Sequence, residues 1–295
     1  MSRRLGSNEA ALPLASARAV VNGRRRPWRA PGLLVPLAFV LLLAAATGAP
    51  EWFTSLEPDA MDVEAILQPP GPEHPFGTDD LGRDLYCRVI YGTSRSLTIG
   101  IGATLIACLG GIVLGAGAAL APALIRKPLV RFIDILLAFP DLLLALLVIA
   151  VLGRGPVNTL IAVGLSHIAG YGRLIRSRVL QVKLSGYVEH AVALGEHPWT
   201  ILTRHIVPNT TRPLVVLATI GIGTSVLSAS ALSFLGLGVV PPEAEWGALL
   251  ASGRNFLELA PWMSLLPATV VALSVISITL VGRRLQALLA GGDVS

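Results

Sequence analysis

The chain has 295 residues, 53% of them hydrophobic and only 14% charged, with a mean hydropathy of +0.70. A water-soluble domain carries roughly a quarter of its residues as charges, so a soluble enzyme or regulator is excluded and repeated crossing of a bilayer is implied. The net charge of +5 does not indicate nucleic-acid binding, because the cations fall between apolar runs along the whole chain and no recognition motif accompanies them.

Residues 1–31 hold Arg3, Arg4, Arg18, Arg24, Arg25, Arg26 and Arg29 among alanine, proline and glycine, the composition of a poorly ordered basic tail. The segment 32–49, apolar from residue 33, follows. An arginine-rich start, an apolar run and Ala44-Ala45-Ala46 resemble a cleavable signal peptide. The basic stretch and the run are both long, however, and a retained first transmembrane helix is expected.

Segment 50–96 is acidic at first, with Glu51, Glu57, Asp59, Asp62 and Glu64, and then reads His74-Pro75-Phe76-Gly77-Thr78-Asp79-Asp80-Leu81-Gly82-Arg83-Asp84. Its carboxylates lack the spacing of a calcium loop. A helix start is expected, capped by Thr78 or Asp79, with i,i+4 pairs Asp79–Arg83 and Asp84–Arg88.

A second span, 97–121, carries Ala103, Ala107, Gly111, Gly115 and Ala119 at every fourth position. Such a stripe brings helix backbones close in lipid, within the chain or at a pore or subunit interface. A third span, 135–152, opens near Asp134, Phe139, Pro140 and Asp141. An intramembrane acid is a functional candidate, but Pro140 in a first turn and Asp141 on the helix dipole have a structural account. The fourth span, 157–171, is short; it follows Gly153-Arg154-Gly155-Pro156 and ends before Arg173, both read as loop. Its His167 has no acidic or cysteine neighbour in sequence and is read as a packing residue. Cys87 and Cys108 give neither a disulfide framework nor a metal spacing.

Between the fourth span and a fifth at 214–235 lies a polar interval of two short helices, with a glycine break at Gly195 and Pro208 ending the second helix. Segment 236–262 contains Gly236-Leu237-Gly238-Val239-Val240-Pro241-Pro242 and then Trp246-Gly247. Its Trp246 and Trp262 suit a membrane interface, and a partly re-entrant hairpin is expected after the proline pair. The sixth span is 263–281, and 283–295 form a tail. With the N-terminus inside, eighteen of the 23 Lys and Arg fall on inner segments, which places both termini and the polar interval in the cytoplasm.

Catalytic signatures are missing. The two lysines, Lys127 and Lys183, stand where neither completes a phosphate-binding loop, and no nucleophile-elbow or zinc-protease motif is present. If ATP drives this protein, another chain hydrolyses it.

The run Glu189-His190-Ala191, Gly195 four residues later and Pro208 thirteen beyond that resembles the EAA loop of permease subunits in binding-protein-dependent ABC importers. Together with the 74–84 motif, Tyr187-Val188-Glu189, His205-Ile206-Val207-Pro208-Asn209, Leu232-Ser233-Phe234-Leu235-Gly236-Leu237-Gly238 and Trp246-Gly247, it is similar to the C-type permease of the dipeptide/oligopeptide/nickel branch. The similarity runs in order from residue 74 to 282.

The resemblance implies an all-α polytopic protein with six transmembrane helices, a type I importer permease fold and a five-helix core at 97–282 containing a coupling loop at about 173–212. It assigns Tyr187, Glu189, His190, Ala191, Gly195, His205, Pro208 and Asn209 to docking on a cytoplasmic ATPase. Gly77, Thr78, Asp79, Gly82, Arg83 and Asp84 form an extracytoplasmic motif. Ser233, Phe234, Leu235, Gly236, Gly238, Trp246 and Gly247 belong to a gate or pore region. It further implies a second permease, two ATPase subunits or domains, an external solute-binding protein, and a place in a bacterial inner membrane. No metal or cofactor is expected on this chain, ATP and Mg being bound by the ATPases. Peptides are the expected solute, with nickel or other small solutes as alternatives.

The sequence departs from the family pattern at His190, where a second alanine is usual, at Ile168, often tryptophan, and at 279–286, which lacks the usual Asn and Asp/Arg/Asp set. The rival from another class is a self-contained proton-coupled carrier using Asp134, Asp141 or His167, for which an inverted repeat is expected and none is found.

Overall fold

A computed structural model describes residues 31–290; all but the last residue of the basic tail, and residues 291–295, lie outside them. Among the described residues there is no strand, only an isolated bridge between Thr78 and Asp84. The helices are α1 (Pro31–Gly48), α2 (Leu85–Leu120), α3 (Ala123–Leu137), α4 (Asp141–Leu152), α5 (Pro156–Lys183), α6 (Gly186–Ala193), a single turn α7 (Pro198–Thr200), α8 (Val207–Phe234), α9 (Trp246–Gly253) and α10 (Trp262–Ala290).

α2 and α5 pair through the stripe of small residues. Ala103 and Ala107 are fully buried. A Cβ on Gly111 would lie 2.5 Å from Tyr171 Cβ, and one on Gly115 would collide with the carbonyl oxygen of Gly172. The stripe therefore serves packing within the chain, where close backbone approach replaces the hydrophobic drive that lipid removes.

Three helical stretches are long and apolar enough to cross a membrane: Leu85–Leu120, Val216–Phe234 and Trp262–Leu288. The other expected spans look different. α1 is apolar but shorter. The stretch 135–152 is not one helix: α3 ends at Leu137, α4 starts at Asp141, and the two are bent by 96°. Pro140 is the cause, since it lacks an N–H to continue α3 and biases Phe139 away from helical geometry. α3 itself is amphipathic, burying Ile133 and exposing Leu124, Phe132 and Ile135.

Arg173 is not in a loop. α5 continues through Arg173, Arg176 and Arg178 to Lys183, residue types with good helix propensity. Nor does Pro208 end a helix. The chain passes from α7 through a π-helical turn, Ile201–Ile206, directly into α8. Pro208 sits in the first turn of α8, and the wider turn before it absorbs the irregularity a proline introduces.

The buried apolar residues form three clusters. One joins α2, α4, α5 and α8 through Ile99, Ile149, Val163 and Leu232. A second binds α6 and the π turn to the ends of α2, α5 and α8 through Ala119, Ile175, Val188, Ile206 and Leu214. The third holds α1, α9 and α10 on α2 and α8 through Leu43, Leu85, Trp246 and Val271. The two ends of the bundle are thus distinct, one built by α6 and the other by 50–84 with α9.

Candidate functional site

At the first end, α6 stops through local backbone chemistry. Gly195 takes φ +73, and the amides of Gly195 and Glu196 donate to the carbonyls of Val192 and Ala191 at 3.0 and 3.1 Å. This is the paired-bond helix ending that favours glycine, since its αL conformation strains a Cβ. Space is not the constraint, because nothing lies within 4 Å of a Cβ built there.

Val188 and Ala191 are buried beneath α6. On the outside, Leu184, Tyr187, Val192, Leu194 and Trp199 are exposed apolar side chains, concentrated on and beside α6. His205 pins the two arms: its Nε2 lies 3.2 Å from Glu196 Oε2, and its ring lies 6.2 Å from that of Tyr187. Asn209 Nδ2 donates to the His205 carbonyl at 2.7 Å. His190 Nδ1 bonds the Gly186 carbonyl at 2.6 Å, and both Glu189 and His190 are exposed. Beside α6, Lys183, Glu189, Glu196 and Leu202 border an open cleft of about 700 Å³. The structure thus brings Tyr187, Gly195 and His205 together, with Glu196, which sequence reasoning did not single out.

At the other end, the 74–84 motif forms a buried turn and not the helix start expected. Asp79 accepts from the amides of Leu81 and Arg83 at 2.9 and 3.0 Å and from Arg83 Nε at 2.7 Å. Fully buried Thr78 accepts from Gln68 N at 2.8 Å. Gly77 and Gly82 both take φ +73.

The cap of α2 is Asp84, not Thr78 or Asp79, and it accepts from Cys87 N at 2.7 Å while its other oxygen meets His74 Nδ1 at 2.8 Å. That engagement leaves Arg88 to other partners: it donates to the Pro58 carbonyl, to Asp59 Oδ1 and to the Pro242 carbonyl, each at 2.9 Å. One guanidinium ties the 50–84 segment, α2 and the segment before α9. Its fork geometry is what lysine lacks. Its Nε also lies 3.8 Å from Asp79 Oδ2, and Arg88→Leu is expected to destabilise the protein by about 3–5 kcal/mol, because Asp79 and the bonded carbonyls lose a buried cation. Thermal unfolding of the detergent-purified protein measures this, and an unchanged midpoint would refute it.

α8 ends as α6 does: Gly236 has φ +78, and the amides of Gly236 and Leu237 reach the carbonyls of Ser233 and Leu232 at 2.9 and 3.0 Å. Ser233 is buried, with Gly238 and Gly247 against it, while Phe234 and Leu235 are exposed. Arg254 lies 5.9 Å over the Phe234 ring.

Trp246 is not at an interface. It is fully buried, its Nε1 donating to the Val89 carbonyl at 3.1 Å. Trp262 Nε1 donates to the Thr78 carbonyl at 3.2 Å.

At this end, sequence reasoning missed Glu245. It is fully buried and caps α9, accepting from Gly247 N at 2.9 Å, Ala248 N at 3.0 Å and Ser96 Oγ at 3.2 Å. Burial pushes its carboxyl above the usual range, and the Gly247 and Ala248 amides pull the other way. An acid directly before an apolar octet is the capping signal that marks it.

The described residues thus form a strand-free helical bundle seamed by small residues, with a surface helix at one end and a buried cap at the other. The model of the family described as binding-protein-dependent transport system inner membrane component matches residues 111–292, and the chain belongs to that family. It is 38% identical over 86% of its length to the dipeptide transport system permease protein DppC of Alkalihalophilus pseudofirmus, covering 83% of that protein. It is 35% identical to the glutathione transport system permease protein GsiD of Pectobacterium atrosepticum, covering 94% of each. Among solved structures, the inward-facing MetNI methionine ABC transporter shares the fold at TM-score 0.56 and 16% identity, over 68% of this chain and 95% of that one. An amino acid ABC transporter with histidines does so at TM-score 0.53 and 17% identity, over 68% and 92%.

Proposed function

We propose that this permease crosses a bacterial inner membrane six times with both termini in the cytoplasm. It pairs there with a second permease to form the path for peptides delivered by an external binding protein. α1, the bent α3–α4 pair and the apolar first part of α5 supply the spans beyond the three long ones. The tail 1–31 and residues 283–295 lie inside, 50–96 outside, and 97–282 form the core. Two partner ATPases bind ATP and Mg and dock on α6 and the π turn. Nothing in the fold favours the proton-coupled carrier.

The observation that carries this reading is α6 itself: an octet fixed to the bundle by Val188 and Ala191 that presents Tyr187 and Val192 outward, with the exposed Leu194 as its C-cap. An apolar face held rigidly at the cation-rich end of a membrane bundle is a docking site for a soluble partner. Glu189, exposed in the first turn, offers a charged contact beside it. The 74–84 turn and the segment before α9 form the opposite surface, which faces the binding protein, and the Ser233–Gly247 contact closes the outer end of the path.

Affinity purification from the native membrane in mild detergent tests the assembly. A second permease and ATPase subunits are expected to co-purify. Recovery of the chain alone in several detergents would overturn the reading.

A further inference from the structure

A chain of polar groups crosses the middle of the bundle. Thr104, near the midpoint of the 36-residue α2, has its Oγ1 3.0 Å from Ser225 Oγ on α8, and that oxygen lies 3.5 Å from His167 Nδ1 on α5. His167 lines a cavity of about 360 Å³ between α5, α8 and the first turn of α4, bordered also by Asp141, Gly170, Tyr171 and Thr224.

Asp141, Gly170 and Thr224 are exposed, and a Cβ on Gly170 would meet nothing within 4 Å. Among the described residues, the Asp141 carboxylate has neither a hydrogen bond nor an ion pair, and the cap residue of α4 is Pro140. An exposed acid at mid-bundle faces water or protein and not lipid, because an unpaired charge in hydrocarbon costs several kcal/mol.

We propose that Asp141 is a specificity-determining residue of the translocation path, holding the cationic amino group of the solute as it passes. The inference rests on the permease reading above. The carboxylate supplies the charge, and a charge-assisted hydrogen bond to an ammonium is its natural complement. The rings of His167 and Tyr171 offer polarisable walls to the same cation. The remaining lining is apolar, with Leu137, Leu217 and Ile220, so the acid is the anionic anchor of the cavity. The amino terminus of a short peptide has the required chemistry.

The test uses the complete importer, with its partners, in liposomes supplied with its binding protein. Asp141→Asn is expected to lower the maximal uptake of trialanine about tenfold, the loss of one hydrogen bond to a charged group. Half-saturation stays unchanged, Asp141→Glu restores most of the rate, and any uptake of N-acetyl-trialanine is the same in both proteins. Wild-type trialanine uptake by Asp141→Asn would overturn the inference.

A second arm needs no solute. Thr224→Cys, in a background with Cys87→Ala and Cys108→Ala, is labelled with a quaternary-ammonium and with a sulfonate methanethiosulfonate. The ratio of the cationic to the anionic rate is expected to fall several-fold on adding Asp141→Asn, and an unchanged ratio would overturn the site. A wild-type importer that carries no trialanine would refute the peptide solute, leaving the labelling ratio to decide the cation site.

Discussion

Gly115→Leu is expected to abolish folded protein in the membrane. A Cβ at this position already meets the carbonyl oxygen of Gly172 and comes within 2.9 Å of Ile175 Cβ. The obstacle is backbone, so no rotamer change relieves it, and α2 must move away from α5. Overpacking a core in which side chains can shift costs about 1–3 kcal/mol; separating two helix backbones forfeits the seam as well. Gly48→Ala is the control, since nothing lies within 4 Å of its Cβ. Size-exclusion profiles of tagged variants in mild detergent measure the outcome. A monodisperse Gly115→Leu peak at wild-type level would show that the α2–α5 seam is not what organises the bundle.

Gly195→Asp is expected to reduce uptake to background while leaving the protein in the membrane at its normal level. The fold itself accepts the substitution: the site is open and aspartate is among the residues that tolerate φ near +73. Loss of transport would then report the docking surface, where a charge is set beside exposed Leu194 and Val192. Gly195→Ala separates the backbone from the surface, because it adds strain of roughly 1–2 kcal/mol without charge, and it is expected to retain most of the uptake. Normal transport by Gly195→Asp would remove the coupling role of α6.

Much of this was legible because local chemistry set it. The stripe from Ala103 to Ala119 specifies a close helix contact wherever it lies, and Gly195 ends its helix by a conformation that few other residues adopt. The misreadings have a common origin in direction and distance. Apolar content cannot show that 135–152 turns by 96° at Pro140. Arginines after Tyr171 suggest a loop only if a helix is assumed to stop where the bilayer does, whereas α5 runs on past it. Asp84–Arg88 looks like a helix pair, yet Arg88 finds Asp59 and the Pro242 carbonyl, 29 and 154 residues away. Glu245 carries a local capping signal toward the Gly247 and Ala248 amides, but its burial against Ser96, 149 residues away, becomes visible only once the segment folds inward.

The seam between α2 and α5 leaves no slack for sliding or rolling, since Gly111 and Gly115 rest on the backbone of their partner. The two helices pack as one unit along this seam. α5 spans 28 residues without interruption, about 42 Å at 1.5 Å per residue, from the turn that bonds Gly238 to the end that carries α6. A displacement applied at the α6 end of a rod of this length would be carried to its far end, beside the turn that bonds Gly238.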